Sequence, residues 1–224
     1  MSKKKIASYR GPSAKTSHIS RAVDALKRGN VIVFPTETLY GIGADGLDPL
    51  AVEKVFELKG REPDKPLPLL VADEEMLAVV VKEISPTARK LILAFWPGPL
   101  TLILPARRGI PEPLINDRGG VAVRISSRAT ATQLVRSLGR PLTATSANPS
   151  GEKAARTIAE ARKYFGDQVS VYVNGGMLAS KAGSTVVEIK GRVLSIIREG
   201  EIQTSEIKRV LSTKNRKPKV IAEC

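Results

Sequence analysis

Short apolar runs alternate with amphipathic stretches along most of the chain, the pattern of an α/β protein whose strands lie beneath helices. "SHISRAVDALKRGN" (17–30) reads as a helix with Ile19, Val23 and Leu26 on one face and Gly29-Asn30 as its stop. The next segment, "VIVFPTETLYGIGAD" (31–45), reads as a buried strand that breaks at Pro35 into a polar, glycine-containing turn. Asp48-Pro49 supplies an N-cap and a first-turn proline for a second helix through Leu58, which Gly60 ends.

Further along, Ser85-Pro86 is another cap signal and opens a helix reaching about Phe95. The runs 98–106, 121–125 and 142–145 read as strands, with a helix at 129–138 between the last two. The Pro- and Gly-containing segment from Arg107 to Gly120 reads as a mobile lid. A helix near 155–165 and strands at 171–173, 184–189 and 193–197 complete the expected core. Pro68 precedes the apolar run ending at Val71 and has no N–H to donate, so it belongs at a strand's start or on an edge. From Ser212 the apolar periodicity fades, which divides the chain into one domain over 1–211 and a basic, flexible tail over 212–224.

With 224 residues and 42% hydrophobic content, the chain has enough apolar material for a single large core. The single cysteine, Cys224, excludes internal disulfides and cysteine-based metal clusters. No apolar run approaches the ~20 residues of a membrane span, and the basic N-terminus lacks the apolar stretch of a signal peptide. A reducing cytoplasm and no membrane partner are the expectation. The net charge of +14 favours a nucleic acid or a phosphorylated partner, although a solvated basic surface explains it equally well. The excess sits at the two ends and in the second half, whereas residues 31–120 carry more acidic than basic groups.

Polar residues gather where strands are expected to end, the usual position for ligands in α/β sheets. The groups are Thr36, Thr38 and Tyr40; Lys59 and Arg61; Thr143, Ser146, Asn148 and Ser150; and Arg198. Arg124 is the most informative, because a guanidinium inside the apolar run "VAVRI" is costly unless it meets an anion. Its planar fork suits a carboxylate or a phosphate. Each group also has a bland reading: a turn, a pair of cations at a helix C-terminus, or, for Arg124 and Arg198, a structural ion pair. His18, the only histidine, reads as a surface residue that supports neither a triad nor a zinc site.

Taken together and in order, "FPTETLYGIGAD", "ELKGREPDKPL", "FWPGPLTLIL", "VAVRI", "TATSANPSG", "GSTVVEI" and "IIREG" resemble the YrdC family of threonylcarbamoyl-adenylate synthases, from about Ser20 to Gly200. The resemblance implies a single-domain, twisted mixed α/β sheet flanked by helices, with a large basic concave site. It implies that L-threonine, bicarbonate and ATP become threonylcarbamoyl-AMP and pyrophosphate, a nucleotidyltransferase reaction that serves tRNA modification. Magnesium would accompany ATP, with no resident metal and no permanently bound cofactor. The implied partners are a downstream tRNA threonylcarbamoyl transferase and RNA or tRNA on the basic surface.

Carried over residue by residue, the family pattern makes Lys59, Arg61, Ser146 and Asn148 the catalytic set. The same four residues and Arg198 hold ATP, while Thr36, Lys65, Arg124 and Ser184 hold threonine. Two anions must approach each other in this reaction, so the site has to supply positive charge rather than a nucleophile. Many family members continue into a second globular domain, whereas this chain ends soon after Leu211. Two alternatives remain. A carbamoyl-handling domain of hydrogenase maturation implies a longer chain with a zinc finger. A non-catalytic RNA-binding module implies stacking aromatics, which make up only 4% of this sequence.

Overall fold

In the computed structural model, which describes residues 14–62, 65–180, 182–191, 193–212 and 219–222, the apolar runs pair into two sheets. The first half of the chain forms α1 (Ala14–Lys27), β1 (Ile32–Pro35), β2 (Tyr40–Gly43), α2 (Pro49–Lys59), β3 (Leu69–Leu70), α3 (Glu74–Val80), α4 (Pro86–Phe95) and β4 (Leu100–Pro105). Then come β5 (Gly120–Arg124), α5 (Ala129–Leu138), β6 (Leu142–Thr143), β7 (Thr145–Ser146), α6 (Ile158–Phe165), β8 (Val171–Tyr172), β9 (Thr185–Lys190), β10 (Val193–Arg198), α7 (Thr204–Ser212) and β11 (Lys219–Ala222). The smaller sheet has the order β7-β2-β1-β8, and the larger β11-β10-β9-β4-β5-β3-β6. Parallel and antiparallel pairs mix in both, so the expected mixed α/β architecture is present.

The alternation of side chains across the larger sheet creates both core and site. Leu100, Leu102 and Leu104 of β4, Val121 and Val123 of β5, and Val187 and Ile189 of β9 are buried in the main core with Leu91 and Ile92 of α4 and Ile207 and Leu211 of α7. The intervening residues Thr101, Ile103, Ala122, Arg124, Val186 and Glu188 instead line a cavity. A second core joins Ala22, Val23 and Leu26 of α1 to Ala131, Leu134 and Val135 of α5, over Ile32 and Phe34 of β1.

Helix boundaries follow the cap signals. The Asp48 side chain accepts from Leu50 N and Ala51 N, and Gly60 ends α2 with φ 53°, a left-handed conformation open to glycine at little cost. Ser85 caps α4 in the same way. α6 starts at Ile158, later than expected, because Thr157 and Glu160 form a capping box.

Several segments depart from the sequence reading. Residues 31–45 form a hairpin rather than one strand and a turn: Tyr40–Gly43 returns antiparallel to β1, with Val33 opposite Ile42. Residues 142–145 divide between sheets, β6 pairing with β3 and β7 with β2. α3 and α7 had no counterpart in the reading. The 107–120 segment is tied down rather than built as a lid: Ile110 and Leu114 are buried, and Asn116 Oδ1 accepts from Gly120 N at 2.7 Å. Within the segment read as a tail, Lys219–Ala222 pairs parallel to β10 as an edge strand. Pro68 lies just before β3, which is flanked on both sides, so it occupies the strand-start position.

Candidate active site

The cavity above β4, β5 and β9 encloses about 990 Å³. On its floor Arg124 is only 5% exposed, and its Nη1 donates to Glu37 Oε1 at 2.9 Å. Glu37 belongs to the turn between β1 and β2 and is fixed by the Ser126 hydroxyl. The cation inside the apolar strand therefore has a carboxylate partner contributed by the hairpin. Burial pulls the Arg124 pKa down and Glu37 opposes that shift. Arginine nonetheless keeps its charge in proteins.

Beside it, Ser184 Oγ lies 2.8 Å from Thr101 Oγ1. Arg198 donates to the Ser184 carbonyl from Nε at 3.2 Å and from Nη2 at 2.8 Å. Its Nη2 also reaches Ser184 Oγ at 3.3 Å. Burial, and then the charge of Arg124, lower the Arg198 pKa. The two guanidiniums, Arg124 buried and Arg198 exposed, thus repel each other, and a small anion placed between them would relieve that repulsion.

The wall of the cavity comes from the end of α2 and from the β7 turn. Close approach locks the two supports together. A Cβ on Gly43 would lie 1.9 Å from the Thr143 carbonyl oxygen, so only glycine lets the hairpin come this close to β6, which leads directly into β7. Ser150 N donates to the Lys59 carbonyl at 2.7 Å. The Lys59 ammonium turns inward and donates to the carbonyls of Ser146 and Asn148, both at 2.6 Å. Burial, and then the nearby Arg61 cation, pull its pKa down to about 7. Asn148 Nδ2 donates to Pro149 O at 2.8 Å and Glu152 O at 2.7 Å, so its amide orientation is determined. Asn148 Oδ1 is buried with no hydrogen-bond partner.

Arg61 donates from Nε to Lys65 O at 2.5 Å, and Lys65 pairs with Glu62 at 2.6 Å on the surface. The Thr36 hydroxyl donates to Leu39 O at 2.7 Å and so shapes the turn that carries Glu37.

Of the residues singled out in the sequence, Thr36, Arg61, Lys65, Arg124, Ser146, Asn148, Ser184 and Arg198 all line this cavity. Lys59 instead lines an adjoining cavity of about 300 Å³, which shares Arg61, Lys65, Ser146 and Asn148 with the first. Tyr40 also lines the main cavity, but its hydroxyl serves structure, accepting from Gly175 N at 2.9 Å and donating to Gly176 O at 2.8 Å. Sequence reasoning missed Glu37, Ser126 and Thr101, and also Glu188 with its neighbours Asn116 and Arg118. Glu188 carried a usable signal, since a carboxylate inside "TVVEI" breaks an apolar strand just as Arg124 does.

Trp96 packs against the main core and donates from Nε1 to Leu100 O at 2.7 Å, so it is not presented as a stacking platform. Among the described residues no cluster of three or more His, Cys, Asp or Glu could hold a metal, and no helix is long and apolar enough to cross a membrane.

Comparison with known proteins gives concordant results. The Sua5/YciO/YrdC family model, described as "Telomere recombination", matches residues 24–200. The threonylcarbamoyl-AMP synthase of Thiobacillus denitrificans is 41% identical over 171 residues, covering 75% of this chain and 90% of that protein. Among solved structures, P. abyssi Sua5 complexed with L-threonine superposes with a TM-score of 0.85 at 34% identity over 91% of this chain. The match covers 58% of the Sua5 chain, so this protein spans about three fifths of it. Full-length HypF in a phosphate- and nucleotide-bound form has a TM-score of 0.70 at 20% identity, which indicates a shared fold and nothing more. That match covers 82% of this chain and 29% of HypF.

Proposed function

The chain belongs to the Sua5/YciO/YrdC family, and from that membership and the geometry of the cavity we propose that it is a threonylcarbamoyl-AMP synthase. The observation that carries this reading is a single cavity joining a floor suited to a small carboxylate, at Arg124 and Ser184, to a wall suited to polyphosphate, at Arg61, Ser146 and Asn148. The threonine amine takes up bicarbonate with loss of water to give a carbamate. A carbamate oxygen then attacks the α-phosphorus of ATP, and pyrophosphate leaves with the broken P–O bond.

Arg124 and Ser184 hold the threonine carboxylate, and Thr36 contributes by fixing the turn of Glu37. Arg61 and Arg198 offset the charge of the phosphates, while Lys59 holds the Ser146–Asn148 turn in place through its carbonyls. Lys65, which the family pattern assigns to threonine, is reassigned to the same phosphate field because it stands exposed beside Glu62 on the Arg61 loop. Positioning of this kind is worth roughly 7–11 kcal/mol in well-oriented reactions, so a side-chain base is not demanded. The unpartnered Asn148 Oδ1 fits a cation carried by the phosphates. Magnesium keeps several waters and phosphate oxygens and needs few protein ligands; when bound, it neutralises phosphate charge.

The product is a mixed anhydride that a tRNA threonylcarbamoyl transferase would consume in the cytoplasm, and the +14 charge suits an RNA contact during that transfer. Incubation with ATP, bicarbonate and labelled threonine should yield a threonine-containing adenylate and pyrophosphate in equal amounts. ATP hydrolysis without threonine in the nucleotide product would rule the proposal out.

A further inference from the structure

One buried charge on the cavity floor has no part in the chemistry above. Glu188 is 7% exposed and lines the cavity from β9. Its Oε1 accepts from Asn116 Nδ2 at 3.0 Å, and its Oε2 from Arg118 Nη1 at 2.8 Å. Asn116 is itself held, because its Oδ1 accepts from Gly120 N at 2.7 Å and from Arg118 N at 3.1 Å. The ionised carboxylate is an acceptor with about four lone-pair sites, so capacity remains after two bonds. If it served only to fasten the 107–120 segment, it would be an expensive choice, since a buried carboxylate against a half-exposed arginine contributes little to stability.

Its place along the strands suggests what it meets. Ile103 pairs with Ala122 on one side and with Glu188 on the other, while Thr101 pairs with Val186. The floor therefore runs from Arg124, Thr101 and Ser184, over an apolar strip of Ile103, Ala122 and Val186, to Glu188. Glu188 lies four residue steps beyond Ser184, about 13 Å at ~3.3 Å per strand residue. From the carboxylate of a threonylcarbamoyl adenylate to its ribose hydroxyls, an extended chain at ordinary bond lengths covers on the order of a dozen ångströms. The 6-amino group of the base lies farther out.

We propose that Glu188, positioned by Asn116 and Arg118, accepts a hydrogen bond from a ribose hydroxyl of the nucleotide, so that this end of the cavity distinguishes ribonucleotides from deoxyribonucleotides. The proposal rests on the synthase reading. A carboxylate on a ribose hydroxyl is also the solution of dinucleotide-binding folds, where it supplies an acceptor that phosphate-binding cations cannot.

The test compares kcat/KM for ATP, 2′-deoxyATP, 3′-deoxyATP and ITP in the wild type, Glu188→Ala and Glu188→Gln, with binding of AMP and the two deoxy-AMPs measured by calorimetry. The wild type should prefer ATP to at least one deoxynucleotide by about tenfold or more, as expected for a hydrogen bond to a charged group. In Glu188→Ala that ratio should fall to within about twofold, and the ATP-to-ITP ratio should stay unchanged. Because the readout is a ratio, a poorly folding alanine variant can be replaced by Glu188→Gln, which keeps the size of the side chain and should also narrow the ratio. Equal use of all three sugars by the wild type would overturn the proposal. So would a uniform loss that preserves the ratio, which marks a scaffold role, or a loss confined to the ATP-to-ITP comparison, which marks base reading. If the wild type makes no threonine adenylate, the synthase reading fails; the calorimetric ratio still decides whether Glu188 meets ribose.

Discussion

The floor and the wall of the cavity carry the same kind of charge in different ways. Arg124 lies on β5, buried, with Glu37 as its partner before any ligand arrives, and Arg198, at the exposed end of β10, donates to the Ser184 carbonyl beside it. Arg61 and Lys65 sit on the loop beyond the Gly60 cap, where the Lys65 pair with Glu62 is open to solvent. A buried cation must be satisfied by the fold, and its orientation is set by that requirement; a cation paired at the surface is held weakly and exchanges its partner for phosphate at little cost. The floor is suited to selecting a small rigid anion, the wall to following a triphosphate.

The largest effect should come from breaking the floor. Arg124→Ala leaves the Glu37 carboxylate buried without its cation, and loss of one partner of a buried pair costs about 3–5 kcal/mol. A denaturant melt should show that loss in the empty protein. Arg124→Lys keeps the charge but not the fork, so it should raise the threonine KM by about tenfold while leaving ATP binding without threonine within about twofold. Loss of ATP binding instead would move Arg124 to the nucleotide and erase the distinction between the two regions.

Lys59 tests the boundary, because it starts on the wall and ends buried. Folded Lys59 loses its proton near pH 7, whereas an unfolded lysine keeps its proton up to its ordinary value of 10.5. Between those values the unfolded chain holds more protons, so stability rises with pH; below about 7 the full cost of the buried ammonium is present. The rise should be on the order of a few kcal/mol between about pH 6 and about pH 9.5. Lys59→Met should lack it, which denaturant midpoints at the two pH values would show. ATP favours the ammonium, so at about pH 8 its binding should take up a proton, detectable by calorimetry in buffers of different ionisation enthalpy.

Much of the floor was legible because a charge interrupting an apolar strand must have a reason. Arg124 stands out in "VAVRI" on this ground, and Glu188 carries the same signal in "TVVEI". The identity of each partner was not legible: Glu37 lies 87 residues from Arg124, and nothing local pairs them. The same holds for Lys59, whose place at the helix end follows from Asp48, Pro49 and Gly60, while its inward turn onto the Ser146 and Asn148 carbonyls depends on tertiary packing. The hairpin strand β2 escaped notice because two glycines in Tyr40–Gly43 read as a turn. Gly43 is there for its close approach to Thr143, a contact that only the folded chain reveals.

On the wall, Arg61→Ala should separate activity from stability. Charge-assisted bonds to phosphate are worth about 1.5–3 kcal/mol, so kcat/KM for ATP should fall by roughly ten- to a hundredfold. The melt should shift by about 1 kcal/mol, the usual net worth of bonds such as those the half-buried guanidinium donates to the Lys65 and Pro66 carbonyls. Steady-state pyrophosphate release together with a denaturant melt gives both numbers. A well-folded variant with normal turnover would remove Arg61 from the phosphate site.

The smallest effect, and the cleanest contrast, is expected at Lys65. Its side chain is 60% exposed beside Glu62, so Lys65→Ala should leave the melting temperature unchanged. The ammonium still adds to the field that draws in ATP, and its removal should raise the ATP KM severalfold at about 0.05 M salt. Interactions across solvent fade as the screening length shrinks, from ~10 Å at about 0.1 M to ~3 Å at about 1 M. The difference between the wild type and Lys65→Ala should therefore close as salt approaches about 0.5 M. The threonine defect of Arg124→Lys should persist at the same salt, because ions do not enter a floor that is 5% exposed at its arginine. If both effects vanish with salt, the floor is wet and Arg124 acts at long range like the wall. If neither vanishes, Lys65 touches phosphate directly, and the loop that carries it closes over the nucleotide.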